Sequence, residues 1–346
     1  MAVVRFVNRD DLSALNKLAN KVDGFMTTMP GTQQAMRQRI DMSIESIRCR
    51  VNTPGNEVYF FVLEQGQDII GVASIYACVG NERPFYSYRV THASTVSIGM
   101  EKRNDIQLLN LVNDYNGTAE LATLFLDPDK RGGGCGTLLS YARLLFMKAH
   151  RHRFPERVIA EIRGWTDKQH RSPFWDAVGA QFFDIEMHEA DERSSDDVQF
   201  IADLMPSFPI YVNLLPKSAQ DVIAKPNDNA KGAVALLKKQ GFRYQGLVDI
   251  FDAGVCIDSW LDQVDIVRHT HCAPLQAIND TLVNDFSNNA SLALIANPAL
   301  DNFRVISTQA IYNPLDNNPH IIISANAMAE LSMKNTQNAL LYWLQV

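Results

Sequence analysis

The chain has 346 residues, of which 46% are hydrophobic and 21% are charged. This composition excludes disorder as the main character of the chain, and the lack of an apolar run of about 18 residues excludes a transmembrane helix. The net charge of −7 argues against broad binding to nucleic-acid phosphates, although a local basic pocket for a phosphorylated ligand remains compatible with it.

The N-terminal residues and the cysteines indicate the cellular compartment of the protein. The first residues, MAVVRFVNRDDLSAL, contain no long apolar core and reach Asp10 and Asp11 early, so no secretory signal peptide is predicted. An odd number of scattered cysteines without a CxxC pair is typical of free thiols in a reducing cytoplasm, not of a disulfide scaffold or zinc site. They are Cys49, Cys78, Cys135, Cys256 and Cys272. We therefore expect a cytoplasmic protein with no metal, no nucleic-acid partner and no membrane contact.

The first third of the chain predicts strands, two early helices and a hairpin. Its helices are expected to begin at Asp10 or Asp11 and at Thr32, whose side chains can cap them. The segment Val79–Gly117 reads as an insertion with a strand-like stretch at Ser94–Gly99. The predicted strands are Val3–Val7, Glu57–Glu64, Ile69–Cys78 and Ala119–Leu126.

The remainder alternates helices and strands and then becomes rich in short β-like runs. The charged stretch Glu189–Asp197 is expected to be a surface loop. Helices are expected after the glycine run to about His150, after Ser172, and at about Ser218–Ala224 and Asn229–Gln240. The predicted strands are Arg157–Ile162, Gln181–Met187, Tyr244–Ile250, Ser291–Ala296, Phe303–Ala310 and His320–Ser324. This order predicts an α+β fold with a mixed central sheet flanked by helices.

The most informative segment is ELATLFLDPDKRGGGCGTLLSYAR, residues Glu120–Arg143. A buried strand leads into Arg131 and a run of glycines, and an apolar helix follows. Bare backbone amides at a helix N-terminus bind anions, because they lack intrahelical acceptors and the helix dipole is positive there. Arg131 adds a cation suited to phosphate, so the expected ligand is a pyrophosphate.

Two familiar phosphate loops do not fit this segment. A Walker loop needs a lysine after the glycines, but Gly136 is followed by Thr137 and Leu138. A dinucleotide-binding loop belongs to the first strand–helix unit, whereas this one follows roughly the fourth strand. The spacing Arg131-x-x-Gly134-x-Gly136 instead resembles the loop with which GNAT acyltransferases bind the pyrophosphate of coenzyme A.

Longer motifs extend this resemblance over nearly the whole chain. Together they resemble the arginine N-succinyltransferase family within the GNAT superfamily. In order they are PFYSYRV (84–90), HAS (92–94), ELATLFLDP (120–128), AEIRG (160–164), SPFWDAVG (172–179), DLMP (203–206), PIY (209–211), QDVI (220–223), GFRY (241–244), DIFDAG (249–254) and LALIANPALDNFRV (292–305). The resemblance implies a GNAT-like domain over residues 1–271, enlarged by insertions, and a small C-terminal β-rich subdomain over 272–346.

The resemblance further implies transfer of succinyl from succinyl-CoA to the α-amino group of L-arginine. The strand edge at Leu124, Phe125 and Leu126 would then bind the pantetheine arm, and the Leu124 amide would stabilise the thioester oxyanion. The phosphates would be bound by the loop, through Arg131, Gly132, Gly134 and Gly136. No metal is implied.

The proton acceptor is the point at which the chain departs from the family. A histidine that follows the QDVI-like helix is the family's proton-transfer residue, and an ungapped alignment puts Asn227 there. Asparagine has no usable pKa for this task. Asp228 or a water chain can replace it, another residue such as Glu161 can carry the proton, or the chain is a non-catalytic subunit beside an active paralogue.

An arginine substrate needs carboxylates for its guanidinium and cations for its own carboxylate. Glu120 and Glu161 lie at the cofactor end of neighbouring predicted strands and can bind the guanidinium or order water at the amine. The cationic candidates for the α-carboxylate or the succinyl carboxylate are Arg89, His92 and Arg163, with Tyr86 as a further contact. Ornithine or another basic amine is an alternative acceptor, and assembly as a homo-oligomer or with a paralogous subunit is expected from the family.

Overall fold

The computed structural model describes residues 1–22, 26, 28–196, 199–206, 208–278, 286 and 289–344. Within them, 15 strands form one continuous mixed sheet. The strands are β1 (Ala2–Phe6), β2 (Val58–Gln65), β3 (Asp68–Val79), β4 (Ser87–Ser97), β5 (Lys102–Val112), β6 (Thr118–Leu126), β7 (Arg157–Glu161), β8 (Ile210–Tyr211), β9 (Arg243–Val248), β10 (Val255–Trp260), β11 (His271–Ala277), β12 (Ser291–Asn297), β13 (Arg304–Ala310), β14 (Ile321–Ile323) and β15 (Asn338–Trp343). Across the sheet their order is β14-β11-β15-β12-β13-β1-β2-β3-β6-β7-β10-β9-β4-β5-β8.

Helices flank the sheet. They are α1 (Leu12–Ala19), α2 (Gln33–Arg48), α3 (Cys135–Ala149), α4 (Pro173–Ala177), α5 (Ala180–Phe183), α6 (Met187–Asp196), α7 (Gln199–Leu204), α8 (Lys217–Gln220), α9 (Lys231–Lys239), α10 (Asp265–His269) and α11 (Ala325–Glu330). As expected, the Thr32 and Ser172 side chains accept hydrogen bonds from first-turn amides of α2 and α4. The mixed sheet flanked by helices confirms the predicted fold class.

The parallel pair β6/β7 lies at the middle of the sheet. Its connection is the long apolar helix α3, which packs against the sheet in the main hydrophobic core. Leu121 of β6 and Ala160 of β7 belong to this core. Because side chains alternate along a strand, Glu120 and Glu161 point to the opposite face. That alternation places two carboxyl groups together on the face away from α3.

Two predicted elements are wrong. Gln181–Met187 is not a strand: the chain forms α5 there, and Phe183 stacks on Trp175 at a ring-centroid distance of 5.7 Å. Glu189–Asp197 is not a loop, because α6 extends to Asp196, and residue 197 lies outside the described residues. Glutamate and arginine are good helix formers, and an ion pair between Glu189 and Arg193 one turn apart supports this helix.

The supposed insertion at Val79–Gly117 forms the long hairpin β4/β5. Its register runs from Ser87 opposite Val112 to Ser97 opposite Lys102. Only Tyr88 and Arg89 of β4 pair with β9 among the described residues, so the far half of the hairpin extends beyond the sheet.

The C-terminal strands continue the same sheet. Strand β13 pairs with β1 through three residue pairs, from Val3 opposite Ile306 to Arg5 opposite Arg304. Phe303 packs its ring against Phe146 of α3, with centroids 5.1 Å apart. The predicted boundary at residue 272 therefore lies inside a continuous sheet, and the division into 1–271 and 272–346 stays a prediction.

Candidate active site

The glycine loop has the backbone conformation that an anion site requires. Gly132, Gly133 and Gly134 have φ values of 103°, 57° and 80°, which other residues rarely adopt. Gly134 is the N-cap of α3, so the first-turn amides of this helix point out of its N-terminus. A Cβ atom at any of these three glycines would meet nothing within 4 Å. The loop therefore leaves open space for phosphate groups, and the exposed Arg131 stands beside it.

The start of this loop is anchored to the N-terminal helices. Lys21, just beyond α1, donates to the buried carboxylate of Asp127 at 2.6 Å. The hydrogen bond from Lys21 holds the pKa of Asp127 below its usual value. Asp127 also accepts from the amide of Asp129 at 3.1 Å. These bonds fix the direction in which the chain leaves β6 and enters the glycine loop.

Strand β6 leaves one of its edges open beside the loop. Its pairs with β7 are Ala119 with Val158 and Glu120 with Ile159, and from Ala122 to Leu126 the described ladder joins β6 to β3. The strands thus diverge toward the glycine loop. An extended ligand arm can occupy such an edge, because its unpaired backbone groups accept and donate hydrogen bonds as a neighbouring strand does.

A β-bulge interrupts β6 at the point of divergence. Ser74 pairs with Ala122 and Val72 with Phe125, so Thr123 and Leu124 together stand opposite one residue of β3. Thr123 has a φ of 47°. A bulge rotates the backbone locally and redirects its amides. The side chains of Leu124, Phe125 and Leu126 pack against the hydrophobic clusters, so their backbone is what remains for a ligand.

Glu120 and Glu161 face the same side of the sheet and interact electrostatically. Neither forms an ion pair within 4.0 Å among the residues that the structure describes. Glu161 accepts a hydrogen bond from the thiol of Cys256, 3.4 Å away on β10. A buried carboxyl group and a half-buried one that both lack a close ion pair form a site that favours a cationic ligand.

Burial sets the protonation of both carboxyl groups. It raises the pKa of Glu120 to about 7, and the charges of Arg39 and Arg143 limit that rise. Burial also raises the pKa of Glu161 well above its usual value, and the nearby Glu120 raises it further. Since a proton acceptor works best when its pKa is close to the working pH, Glu120 is suited to accept a proton near neutrality.

The DIFDAG loop closes the site beside Glu161. The Asp252 carboxylate accepts from the amides of Gly164 at 2.7 Å and Gly254 at 2.8 Å. A Cβ on Gly254 would lie 2.1 Å from the carbonyl oxygen of Ile162, so only glycine permits this approach. Burial raises the pKa of Asp249 well above its usual value, and Asp252 and Glu161 raise it further. This loop brings two further carboxyl groups next to Glu161.

The structure separates the four other proposed substrate contacts. Arg89 forms an ion pair with Asp114, and Tyr86 is partly buried against the cluster below α4. His92 is exposed on the extending part of β4, opposite Gln107. Arg163 directly follows the residue after β7, and its charge limits the rise that burial causes in the pKa of Asp252. Of these four, Arg163 is the one placed beside the carboxyl cluster.

Asn227 lies next to the end of β7 and has a structural role there. Its amide donates to the carbonyl of Arg163 at 2.8 Å, and its side chain accepts from the amide of Asn229 at 3.0 Å. Asp228 is exposed and forms an ion pair with Lys231 at 2.6 Å. The hydrogen bond from Lys231 lowers the pKa of Asp228, which makes this carboxylate a poor proton acceptor.

Three residues of the site were not found from the sequence. Arg143 of α3 is 1% exposed and donates to the bulge carbonyl of Ala122 at 3.2 Å. Burial lowers its pKa to about 9. The sequence offered one signal for Arg143, which is a charged residue within the apolar run of α3. It offered no signal for Arg39 and Cys256, because their place in the site depends on how distant segments pair.

The diverging strands, the bulge and the glycine loop define a GNAT-like acyltransferase that acts on coenzyme A thioesters. The model of the family described as arginine N-succinyltransferase beta subunit matches residues 2–266. The chain belongs to the arginine N-succinyltransferase family, as its motifs predicted.

None of the helices among the described residues has the length and apolar character that a membrane span requires.

Known relatives agree with this assignment. Arginine N-succinyltransferase of Yersinia pestis (strain Pestoides F) is 39% identical over 311 residues, covering 88% of each chain. The enzyme of the same name from Shigella dysenteriae is 37% identical over 309 residues, again covering 88% of each chain. The structure of arginine/ornithine succinyltransferase subunit AI from Pseudomonas aeruginosa has a TM-score of 0.87 at 28% identity, covering 100% of this chain and 99% of that one.

Proposed function

We propose that this protein transfers the succinyl group of succinyl-CoA to the α-amino group of L-arginine. One observation carries the proposal: the open, bulged edge of β6 lies between the glycine loop and the carboxyl groups of Glu120 and Glu161. A thioester held along that edge has its phosphates at one end and its reacting carbon near the carboxyl groups. The family supplies the acyl group and the acceptor by name.

The coenzyme end of the site is the better defined one. The pyrophosphate binds at Arg131, Gly132, Gly134 and Gly136, where helix amides and a guanidinium meet. The pantetheine arm lies along the backbone of Leu124–Leu126. The Leu124 amide donates to the thioester oxygen, and a donor of this kind stabilises an oxyanion by about 3 kcal/mol.

At the acceptor end, the guanidinium of arginine binds Glu161. A cation there offsets the burial that raises the pKa of this carboxyl group, so Glu161 becomes ionised when substrate binds. Glu120 first accepts a proton from the substrate ammonium, directly or through water, and the free amine nitrogen then attacks the thioester carbon. The tetrahedral intermediate expels coenzyme A as a thiolate and loses its second nitrogen proton to solvent water, and the thiolate takes a proton from solvent.

Two broader assignments accompany this proposal. The five free thiols support a cytoplasmic location. The family description names a beta subunit, which supports assembly with a second chain, either a copy or a paralogue. Ornithine is a second acceptor to consider, because the solved relative from Pseudomonas is named for both amino acids.

A non-catalytic subunit is the competing function, and Asn227 favours it. Purified protein is mixed with succinyl-CoA and either L-arginine or L-ornithine, and thiol release is followed. We expect turnover with arginine well above hydrolysis. If the protein binds coenzyme A but shows no turnover, the proposed enzymatic activity is contradicted and the role of a non-catalytic subunit is supported.

The Asn227→His variant tests whether the chain lacks its base. Because Glu120 is the proposed acceptor, we expect kcat to change by less than about threefold. Asn229→His on the same exposed turn is the matched control. A gain of about tenfold or more confined to Asn227→His would show that the histidine position, not Glu120, limits proton transfer.

A further inference from the structure

Arg39 is a half-buried cation on α2. Its guanidinium carbon lies 5.1 Å from the centre of the Tyr76 ring, and its Nη1 donates to the carbonyl of Thr28 at 3.3 Å. Tyr76 is the residue of β3 directly opposite Glu120. Arg39 therefore reaches from α2 to the strand face that carries the carboxyl groups.

The same carbonyl connects Arg39 to the bulge. The hydroxyl of Thr123, the bulge residue, donates to the carbonyl of Thr28 at 3.0 Å. Two donors that share one acceptor lie less than two hydrogen-bond lengths apart. Arg39 is thus adjacent to the part of β6 whose Leu124 amide is the proposed thioester contact.

Arg39 forms no close ion pair, although its charge acts on Glu120 from a distance. No ion pair joins Arg39 to an acidic side chain within 4.0 Å among the described residues, and its side chain is only partly exposed. In contrast, Arg89 is paired with Asp114. A partly buried guanidinium whose hydrogen bonds go to one carbonyl and to the hydroxyl of Tyr76 retains further N–H donors for a bidentate carboxylate.

A second polar group lies beside it on β3. Ser74 is two residues before Tyr76 and opposite Ala122, at the edge of the bulge. Its hydroxyl is fully buried and has no hydrogen-bond partner among the described residues. The surroundings of the bulge thus hold a cation without a close ion pair and a hydroxyl without a hydrogen-bond partner.

We propose that Arg39 binds the distal carboxylate of the succinyl group and so selects succinyl-CoA over uncharged acyl-CoA donors. Three carbon–carbon bonds separate the thioester carbon from this carboxylate, which matches the closeness of Arg39 to the bulge. The assignment rests on the proposed function for the identity of the acyl group. It replaces Arg89, His92 and Arg163 as the candidate for this contact.

The test compares Arg39→Met and Arg39→Lys with Arg37→Met, an exposed arginine on the same helix. Steady-state rates are measured with succinyl-CoA and with acetyl-CoA as donors. Arg39, Arg143, Tyr76 and Glu161 all face Glu120, so removing Arg39 also raises the pKa of Glu120. The rates are therefore measured at about pH 9, where Glu120 is ionised.

We expect Arg39→Met to lower kcat/KM for succinyl-CoA by roughly 100-fold, because a charge-assisted contact is lost. The acetyl-CoA rate and the KM for arginine should stay within about threefold, Arg39→Lys should restore part of the preference, and Arg37→Met should match the natural protein. Equal losses with both donors, or a loss confined to the KM for arginine, would overturn the proposal.

A binding measurement separates this proposal from the proposed activity. Calorimetry compares succinyl-CoA with free coenzyme A, and neither titration requires turnover. We expect the natural chain to bind succinyl-CoA more tightly and Arg39→Met to bind both equally. If arginine is not succinylated but this preference exists and depends on Arg39, the proposed activity fails and the carboxylate contact stands. If the preference persists in Arg39→Met, the contact is refuted.

Discussion

At the scale of single residues, the site is governed by charges that burial leaves without close partners. Glu120 is 7% exposed, and its pKa is raised to about 7 although two arginines lie near it. A carboxyl group in that position is costly in the folded state once it ionises. The same property makes it able to accept a proton near neutral pH. The ionisation of Glu120 therefore affects both the stability of the fold and the proposed catalysis.

The Glu120→Gln variant should reveal this titration in two ways. Because the folded pKa lies above the usual 4.5, the contribution of Glu120 to stability is present at low pH and is lost as pH rises through about 7. The natural protein should therefore lose about 3 kcal/mol of unfolding free energy from this group between about pH 4.5 and pH 8, and the variant should not. Its kcat should fall by about 100-fold or more, and the inflection of kcat/KM near pH 7 should disappear.

Thermal melts and rate profiles between about pH 5 and pH 9 make both measurements. Glu156→Gln, which changes an exposed carboxyl group just before β7, is the control and should match the natural protein. An unchanged pH profile in Glu120→Gln would exclude Glu120 as the acceptor.

At the scale of elements, the glycine loop and the β6 bulge form the two parts of the proposed coenzyme A site. Three consecutive glycines with positive φ expose the N-terminus of α3, and the bulge opens the strand edge beside it. Both features are backbone geometry, so side-chain identity matters mainly where it would block or repel a ligand. Gly134 is the point at which the loop becomes the helix.

A pair of substitutions at Gly134 separates backbone strain from charge. Asparagine tolerates the left-handed φ of 80° about as well as aspartate does, but it has no negative charge. We expect Gly134→Asp to weaken coenzyme A binding by roughly 100-fold and Gly134→Asn by less than about tenfold, since only aspartate repels phosphate. Calorimetric titration at constant ionic strength gives both values. Equal affinities for the two variants would show that phosphates do not bind at this helix end.

At the scale of the whole molecule, the C-terminal strands complete the sheet that carries the site. Strand β1 lies between β2 and β13, and Leu294, Val305 and Tyr342 belong to the same core as α3. Phe303 packs on Phe146 within that core. The C-terminal segment therefore shares its interior with the catalytic part of the chain, which argues that the two do not fold independently.

A chain that ends at residue 271 should accordingly be unstable. It exposes one edge of β1 and removes core side chains, each of which contributes about 1.5–3 kcal/mol by burial. We expect its Tm to fall by more than about 10 °C, or cooperative unfolding to be lost. Circular dichroism melts measure this, with a chain that ends at residue 344 as the control. Cooperative unfolding of 1–271 within a few degrees of the full chain would instead establish two independent domains.

The local parts of this protein could be predicted from its sequence. Strand β6, the glycine loop and α3 are contiguous, and their φ preferences, apolar spacing and free helix amides depend on neighbours in the chain. The motifs also identified the family. Where local signals were ambiguous the prediction failed: Gln181–Met187 was predicted as a strand but contains helix α5, and the charged stretch Glu189–Asp197 was predicted as a loop, although α6 extends to Asp196.

The chemistry of the acceptor end was decided by the tertiary structure. Glu120 and Glu161 became neighbours because β6 and β7 pair in one particular parallel register, and a shift of one residue would have turned either carboxyl group to the other face. Arg39 reaches the bulge from α2, a helix distant in sequence, through the carbonyl of Thr28. The sequence by itself determined the phosphate loop and the family, since these depend on contiguous residues. Only the folded chain determined which charges meet and which stay unpaired, because register and burial are properties of contacts between distant segments.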